Sequence, residues 1–123
     1  MGRIIPGKQL DSSKFFPMVG IGRKIGQFVK GKVTEKGVTK NNNVVVTLEL
    51  VDLDGTTSIQ ASKGIYQEVD VNAGDKVQMV ANFTDLRDKL PEVHVGDLLT
   101  VTYKEDVPSG KGRPKKIFEV LVD

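Results

Sequence analysis

The stretch "QFVKGKVTE" (residues 27–35) alternates without a break. Val29, Gly31 and Val33 fall on one side of an extended chain. Phe28, Lys30, Lys32 and Thr34 fall on the other, because successive side chains of a strand point to opposite faces. The segment therefore predicts a strand with one buried face, and Gly31 within it marks a bulge or a sharp bend of the kind small barrels need. The polar loop "KGVTKNNN" follows. "VVVTLELVD" (residues 44–52) is then a second strand, with Val46, Leu48 and Leu50 inward. Asp54-Gly55 is the strongest turn signal in the chain, since a two-residue hairpin turn needs positive φ values that this pair tolerates. A third strand is expected directly after it, over 56–62.

Downstream, a short strand over 77–81 follows the turn Ala73-Gly74-Asp75. "NFTDLRDKLP" predicts a short helix: Asn82 or Thr84 can cap it, Asp85 and Asp88 suit its positive end, Leu86 and Leu90 share a face, and Pro91 ends it. Gly96-Asp97 launches a strand over 98–104, and a last strand spans 116–122 beyond a basic turn. Three strands, a short helical insert and two more strands make the order β-β-β-α-β-β. That is the order of an all-β, five-stranded OB-fold barrel; a small β-sandwich gives a similar string. The expected organisation is an N-terminal extension over 1–24, available for oligomer contact, and a barrel domain over 25–123. In the extension, Phe15, Phe16, Met18 and Val19 form an apolar group suited to covering a barrel end or pairing with a second subunit, which favours a homodimer.

At 123 residues one domain is expected, with a modest core. No stretch approaches the ~20 apolar residues that span a bilayer, and the N-terminus lacks the continuous apolar centre of a signal peptide. The chain has no cysteine, which excludes disulfides and thiolate metal sites and fits a reducing cytoplasm. Net charge is only +2, but it is unevenly spread. Residues 1–40 hold nine basic side chains against Asp11 and Glu35, whereas residues 41–106 hold five basic and twelve acidic. The tail turns basic again in "VPSGKGRPKK". Two basic blocks far apart in sequence make a polyanion-binding face only if folding joins them.

Little here is arranged for catalysis. His94 is the sole histidine, so neither a Cys–His pair nor a second imidazole exists, and no G-x-S-x-G accompanies it. "GKGRPKK" lacks the phosphate-loop spacing and precedes a strand instead of a helix. Asp52-Leu53-Asp54-Gly55 hints at a calcium loop, but its glycine comes too early and Lys63 stands where the twelfth-position glutamate belongs. A non-enzyme without metal or cofactor is expected.

For binding, the polar side of 27–35 is more informative. Burying it would strand Lys30 and Lys32 in a core, so Phe28 belongs near the surface, flanked by cations. Ammonium groups that neutralise phosphates, beside a ring that stacks on a base at ~1–3 kcal/mol, suit single-stranded nucleic acid. In an OB barrel the loops carrying Lys36 and Lys40, and carrying Lys111, Arg113, Lys115 and Lys116, flank one groove. Arg113 can pair with phosphate and stack on a base. Tyr103 and Tyr66 are either further stacking rings or core residues with bonded hydroxyls. No zinc finger, helix-turn-helix or RNP motif reads a base sequence, so binding is expected to be sequence-tolerant and salt-dependent. The competing reading is a small β-barrel protein-interaction module, for example a phage structural or adaptor protein, whose charged turn faces a protein.

On "FVKGKVTEKG", "VGDLLTVTYK" and "SGKGRPKKIFEV", the chain over roughly 28–122 resembles phage-encoded OB-fold single-stranded DNA-binding proteins, most of all those of lactococcal phages. The resemblance implies coating and protection of single-stranded DNA during phage replication and recombination, by an oligomer, in the infected host's cytoplasm. It implies DNA contacts by Phe28, Lys30, Lys32, Lys111, Arg113, Lys115 and Lys116. Bacterial proteins of this kind typically end in a flexible acidic tail that recruits other replication proteins. This chain ends "FEVLVD", which puts such recruitment in doubt.

Overall fold

The structure, a computed structural model, describes residues 16–62, 64–110 and 112–123. Most of the N-terminal extension, Phe15 included, and Lys111 lie outside the described residues. Eight strands occur among those described: β1 (Met18–Gly20), β2 (Phe28–Val38), β3 (Val44–Asp54), β4 (Thr56–Ser62), β5 (Ile65–Glu68), β6 (Lys76–Val80), β7 (Leu98–Val107) and β8 (Lys115–Val122). One helix, α1 (Thr84–Lys89), runs into a 3-10 turn over Leu90–Glu92. The strands form one sheet in the order β5-β4-β1-β6-β3-β2-β7-β8. Among the described strands only β1 and β6 pair in parallel. No helix among the described residues is long and apolar enough to cross a membrane.

The expected five-stranded OB-fold barrel is thus corrected to an open, eight-stranded sheet, with β5 and β8 as unjoined margins. Gly55 explains much of the difference. It does not adopt a positive φ, so Asp54-Gly55 is no two-residue hairpin. A Cβ at Gly55 would sit 2.7 Å from the Gly20 carbonyl oxygen and 2.9 Å from Ile21 Cγ2. The glycine is there for close approach. The chain turns a corner at Gly55, and β4 pairs with β1 and β5 while β3 pairs with β2 and β6. Residues 18–20, expected to precede the domain, are instead held inside the sheet.

The alternation in 27–35 is realised. Val29, Gly31 and Val33 are buried, Lys32 is exposed, and Phe28 and Lys30 are half-buried. Two bulges bend the β2–β3 pair: Val51 is skipped opposite Lys30/Gly31, and Thr34 is skipped between Val33 and Glu35. At the first, a Gly31 Cβ would lie 2.8 Å from the Glu49 carbonyl oxygen, so only glycine lets the strands close up there. The inner face joins Val46, Leu48 and Leu50 of β3 to Val77 and Met79 of β6, and to Leu99, Val101 and Tyr103 of β7. Leu86 and Leu90, with Val93 beyond, complete this core from the helical side. Each such side chain contributes about 1.5–3 kcal/mol when fully withdrawn from water.

Helix α1 is short and has no side-chain cap at its start, so its own hydrogen bonds cannot hold it. It is fastened to the edge strand instead. The Asp85 carboxylate accepts from the Phe118 N–H (2.8 Å) and from the Lys89 ammonium (2.8 Å). The same ammonium donates to the Phe118 carbonyl oxygen at 2.7 Å. Two side chains thereby occupy the backbone N–H and carbonyl of Phe118, one of the residues that a ninth strand would pair with.

Candidate nucleic-acid interface

Between β1 and β2 the chain crosses the end of the sheet in a turn, residues 22–27, carrying exposed Arg23 and Lys24. Local chemistry fixes this turn. Gly26 takes φ +102°, and the Gln27 side-chain oxygen accepts from the N–H groups of Arg23 (3.0 Å) and Lys24 (2.9 Å). Backbone bonds then tie the turn to β7: Gly26 N–H donates to the Tyr103 carbonyl, and Tyr103 N–H donates to the Gln27 carbonyl, each at 2.8 Å. At Gly22 an added Cβ would strike the Phe83 ring at 2.7 Å and lie 3.6 Å from Lys116 Cδ. The turn is therefore seated directly against the root of the β7–β8 hairpin.

That hairpin reaches past the start of β2. Gly110 and Gly112 bend it with φ +78° and +87°, and Ser109 Oγ donates to the Arg113 carbonyl across its base. The Arg113 guanidinium is exposed, while Lys115 and Lys116 are half-buried. The Lys116 ammonium stands over the Tyr103 ring and donates to its hydroxyl, which itself donates to Asp106. Five cations (Arg23, Lys24, Arg113, Lys115 and Lys116) so come from two distant parts of the sequence to one end of the sheet. Phe28, the first residue of β2, follows the turn directly in the chain and lies across from Asp54 on β3 and Thr102 on β7.

The other sequence-derived candidates are distributed differently. Lys30 lies across from Asp52 on β3 and Thr100 on β7, and Lys32 lies across from Glu49 and Leu98. Glu49 in turn faces Lys76 on β6. The outer face therefore alternates in sign, and neighbouring opposite charges cancel much of the field a polyanion would feel. Lys36 and Lys40 lie at the far end of β2, where the Lys36 ammonium donates to the Pro91 carbonyl at 2.6 Å. Eight residues of strand separate Lys36 from Phe28, roughly 26 Å at the usual rise. Tyr66 is 62% exposed on margin strand β5, remote in the sheet order from β7 and β8. Tyr103 is 2% exposed, packed on Phe118 at 5.4 Å between ring centres. Its ring is part of the core, and Lys116 occupies the open side.

Arg23 and Lys24 were not among the sequence candidates because the barrel reading placed them in an N-terminal extension, away from the two loops expected to flank its groove. Their signal is the pair of cations framed by glycines in "GIGRKIGQ".

Among the described residues no group of three or more acidic or histidine side chains could hold a metal ion. Comparisons with protein-family models, with curated proteins and with solved structures found no match to this chain. The resemblance to phage single-stranded DNA-binding proteins does not hold: the sheet is not the barrel that it implied, and no relative supports it. The phage setting inferred from it falls too.

Proposed function

We propose that this protein binds single-stranded DNA without enzymatic action, holding its phosphates at the basic end of the sheet, and that it works in the cytoplasm. The observation that carries the reading is the meeting of the Arg23–Lys24 turn with the Arg113–Lys116 arm of the hairpin at Tyr103. Cations on two elements can straddle a backbone, and the half-buried Phe28 ring, next in the chain after the turn, offers a face for one base. A duplex hides its base faces, so the ring favours an unpaired strand. No residue is placed to read base edges, and affinity comes chiefly from released counterions.

Fluorescence anisotropy with oligo-dT and with duplex DNA, over a salt series, tests this. Oligo-dT should bind preferentially, and the logarithm of the association constant should fall with log salt at about −0.7 per phosphate contacted, about −3.5 if each of the five cations meets one. Absence of oligo-dT binding at low salt would refute it.

A second reading, as a protein-interaction module or homo-oligomer, draws on the margin strand β5. Ile65 and Tyr66 stand exposed there, on a strand with no further neighbour among the described residues. Sedimentation over a range of concentrations tests it: a monomer throughout argues against the oligomer.

A further inference from the structure

We infer that Gln27 is the positioning residue of the basic end, holding Arg23 and Lys24 in place before any strand arrives. The inference rests on the nucleic-acid reading above and deepens it. One carbonyl oxygen, Gln27 Oε1, gathers two successive N–H groups, those of Arg23 and Lys24, at 3.0 and 2.9 Å. The same residue donates its own N–H to the Lys24 carbonyl at 3.1 Å and accepts from Tyr103 N–H at 2.8 Å. Gln27 is thus the point at which the cation-bearing turn is closed on itself and fastened to β7.

The side chain suits the task by length and by chemistry. Asparagine is one methylene shorter, and methionine has the reach but no oxygen to accept from the two amides. The closure matters for binding because long basic side chains on a loose turn must be ordered when they meet phosphates, and that ordering subtracts from affinity. Gln27 carries no charge and releases no counterion itself. Losing it should therefore lower affinity while leaving the number of neutralised phosphates, and hence the salt slope, as it was. Replacing Arg23 and Lys24 should lower both. This difference separates a positioning residue from a phosphate contact.

The experiment compares the full-length wild type, Gln27→Met, Gln27→Glu and the double variant Arg23→Ser/Lys24→Ser. Amide hydrogen exchange is read at residues 23 and 24, and oligo-dT binding is read across a salt series. In Gln27→Met both amides should exchange faster, and affinity should fall roughly three- to tenfold with an unchanged slope. Gln27→Glu keeps an acceptor at the same reach and should restore amide protection, showing that the fold tolerates the site. Gln27→Met that binds like wild type despite unprotected amides overturns the inference, as do amides that stay protected, or a slope that falls with affinity. A wild type that binds but whose slope ignores Arg23→Ser/Lys24→Ser removes the turn as a phosphate contact. A wild type that binds no oligo-dT removes the broader reading as well.

Discussion

The Lys116 ammonium lies 4.8 Å from the centre of the Tyr103 ring and donates to the Tyr103 hydroxyl at 3.1 Å. Two groups that sequence alone offers as separate ligand contacts are therefore partners of each other, with Asp106 as the third member. Tyr103→Phe keeps the ring and its contact with Phe118 but removes the hydroxyl, leaving Asp106 without that donor. Unfolding free energy should fall by about 1 kcal/mol in a urea titration. Tyr103→Ala also empties core volume and should cost about 3–5 kcal/mol. Equal losses from the two variants would assign nearly all of the residue's worth to its hydroxyl.

Asp85 gives the fold a pH dependence. Burial, the largest single influence, pushes its pKa up; the hydrogen bonds from Lys89 and the Phe118 N–H, with the attraction of Lys89 and Lys115, outweigh it and hold the carboxyl below its ordinary 3.8. A carboxyl with a depressed folded pKa stabilises fully above its unfolded value, and that contribution disappears as pH falls through the lower, folded one. Lys89 is partly exposed, so water screens the pair. Asp85→Asn should lose about 1–2 kcal/mol at neutral pH. Its deficit against wild type should be smaller in acid than at neutral pH, because the wild-type carboxylate loses its charge as pH falls through a folded value below 3.8. Chemical denaturation at the two pH values checks the sign; a deficit that grows in acid contradicts it.

Gly31 should be intolerant of any side chain. With the Glu49 carbonyl oxygen 2.8 Å and Leu48 Cβ 3.0 Å from where its Cβ would be, Gly31→Ala must push β2 and β3 apart at their bulge. A loss of about 1–3 kcal/mol is expected. Thermal denaturation unaffected by the change would mean that the two strands have slack at this point.

Position along the sheet should decide which lysines matter for binding. Lys36→Ser/Lys40→Ser removes two charges from the far end of β2 and should leave the salt slope of oligo-dT binding unchanged. Arg113→Ser/Lys116→Ser removes two from the basic end and should flatten that slope by about 1.4. Equal flattening by both pairs would place the polymer along the whole strand instead.

Strands and helix were legible in the sequence wherever side chains alternate between core and water. Residues 27–35, 44–52, 56–62, 98–104 and 116–122 each lie largely within an observed strand, and 77–81 overlaps β6. The helix drawn from Leu86, Leu90 and Pro91 is present as well. What escaped was β1, too short at three residues to show a period, and β5, whose four side chains are all exposed and so carry no inside–outside contrast. The sheet's closure was misread because Asp54-Gly55 satisfies two physical demands that look alike in sequence, a positive φ and a close backbone approach. At the candidate site, Arg113, Lys115 and Lys116 were visible as a run of charge. Their meeting with Arg23 and Lys24 depends on a corner at Gly22 packed beneath Phe83, which no local pattern encodes.

The grip of α1 on Phe118 also takes up part of the free border of β8. At Phe118 both backbone groups are engaged by ionisable side chains, whereas β5 has no strand beyond it among the described residues. Acid that protonates Asp85 weakens its hold on the Phe118 N–H, while the Lys89 bond to the Phe118 carbonyl does not depend on that charge, so the β8 border loosens at one residue and not along its length.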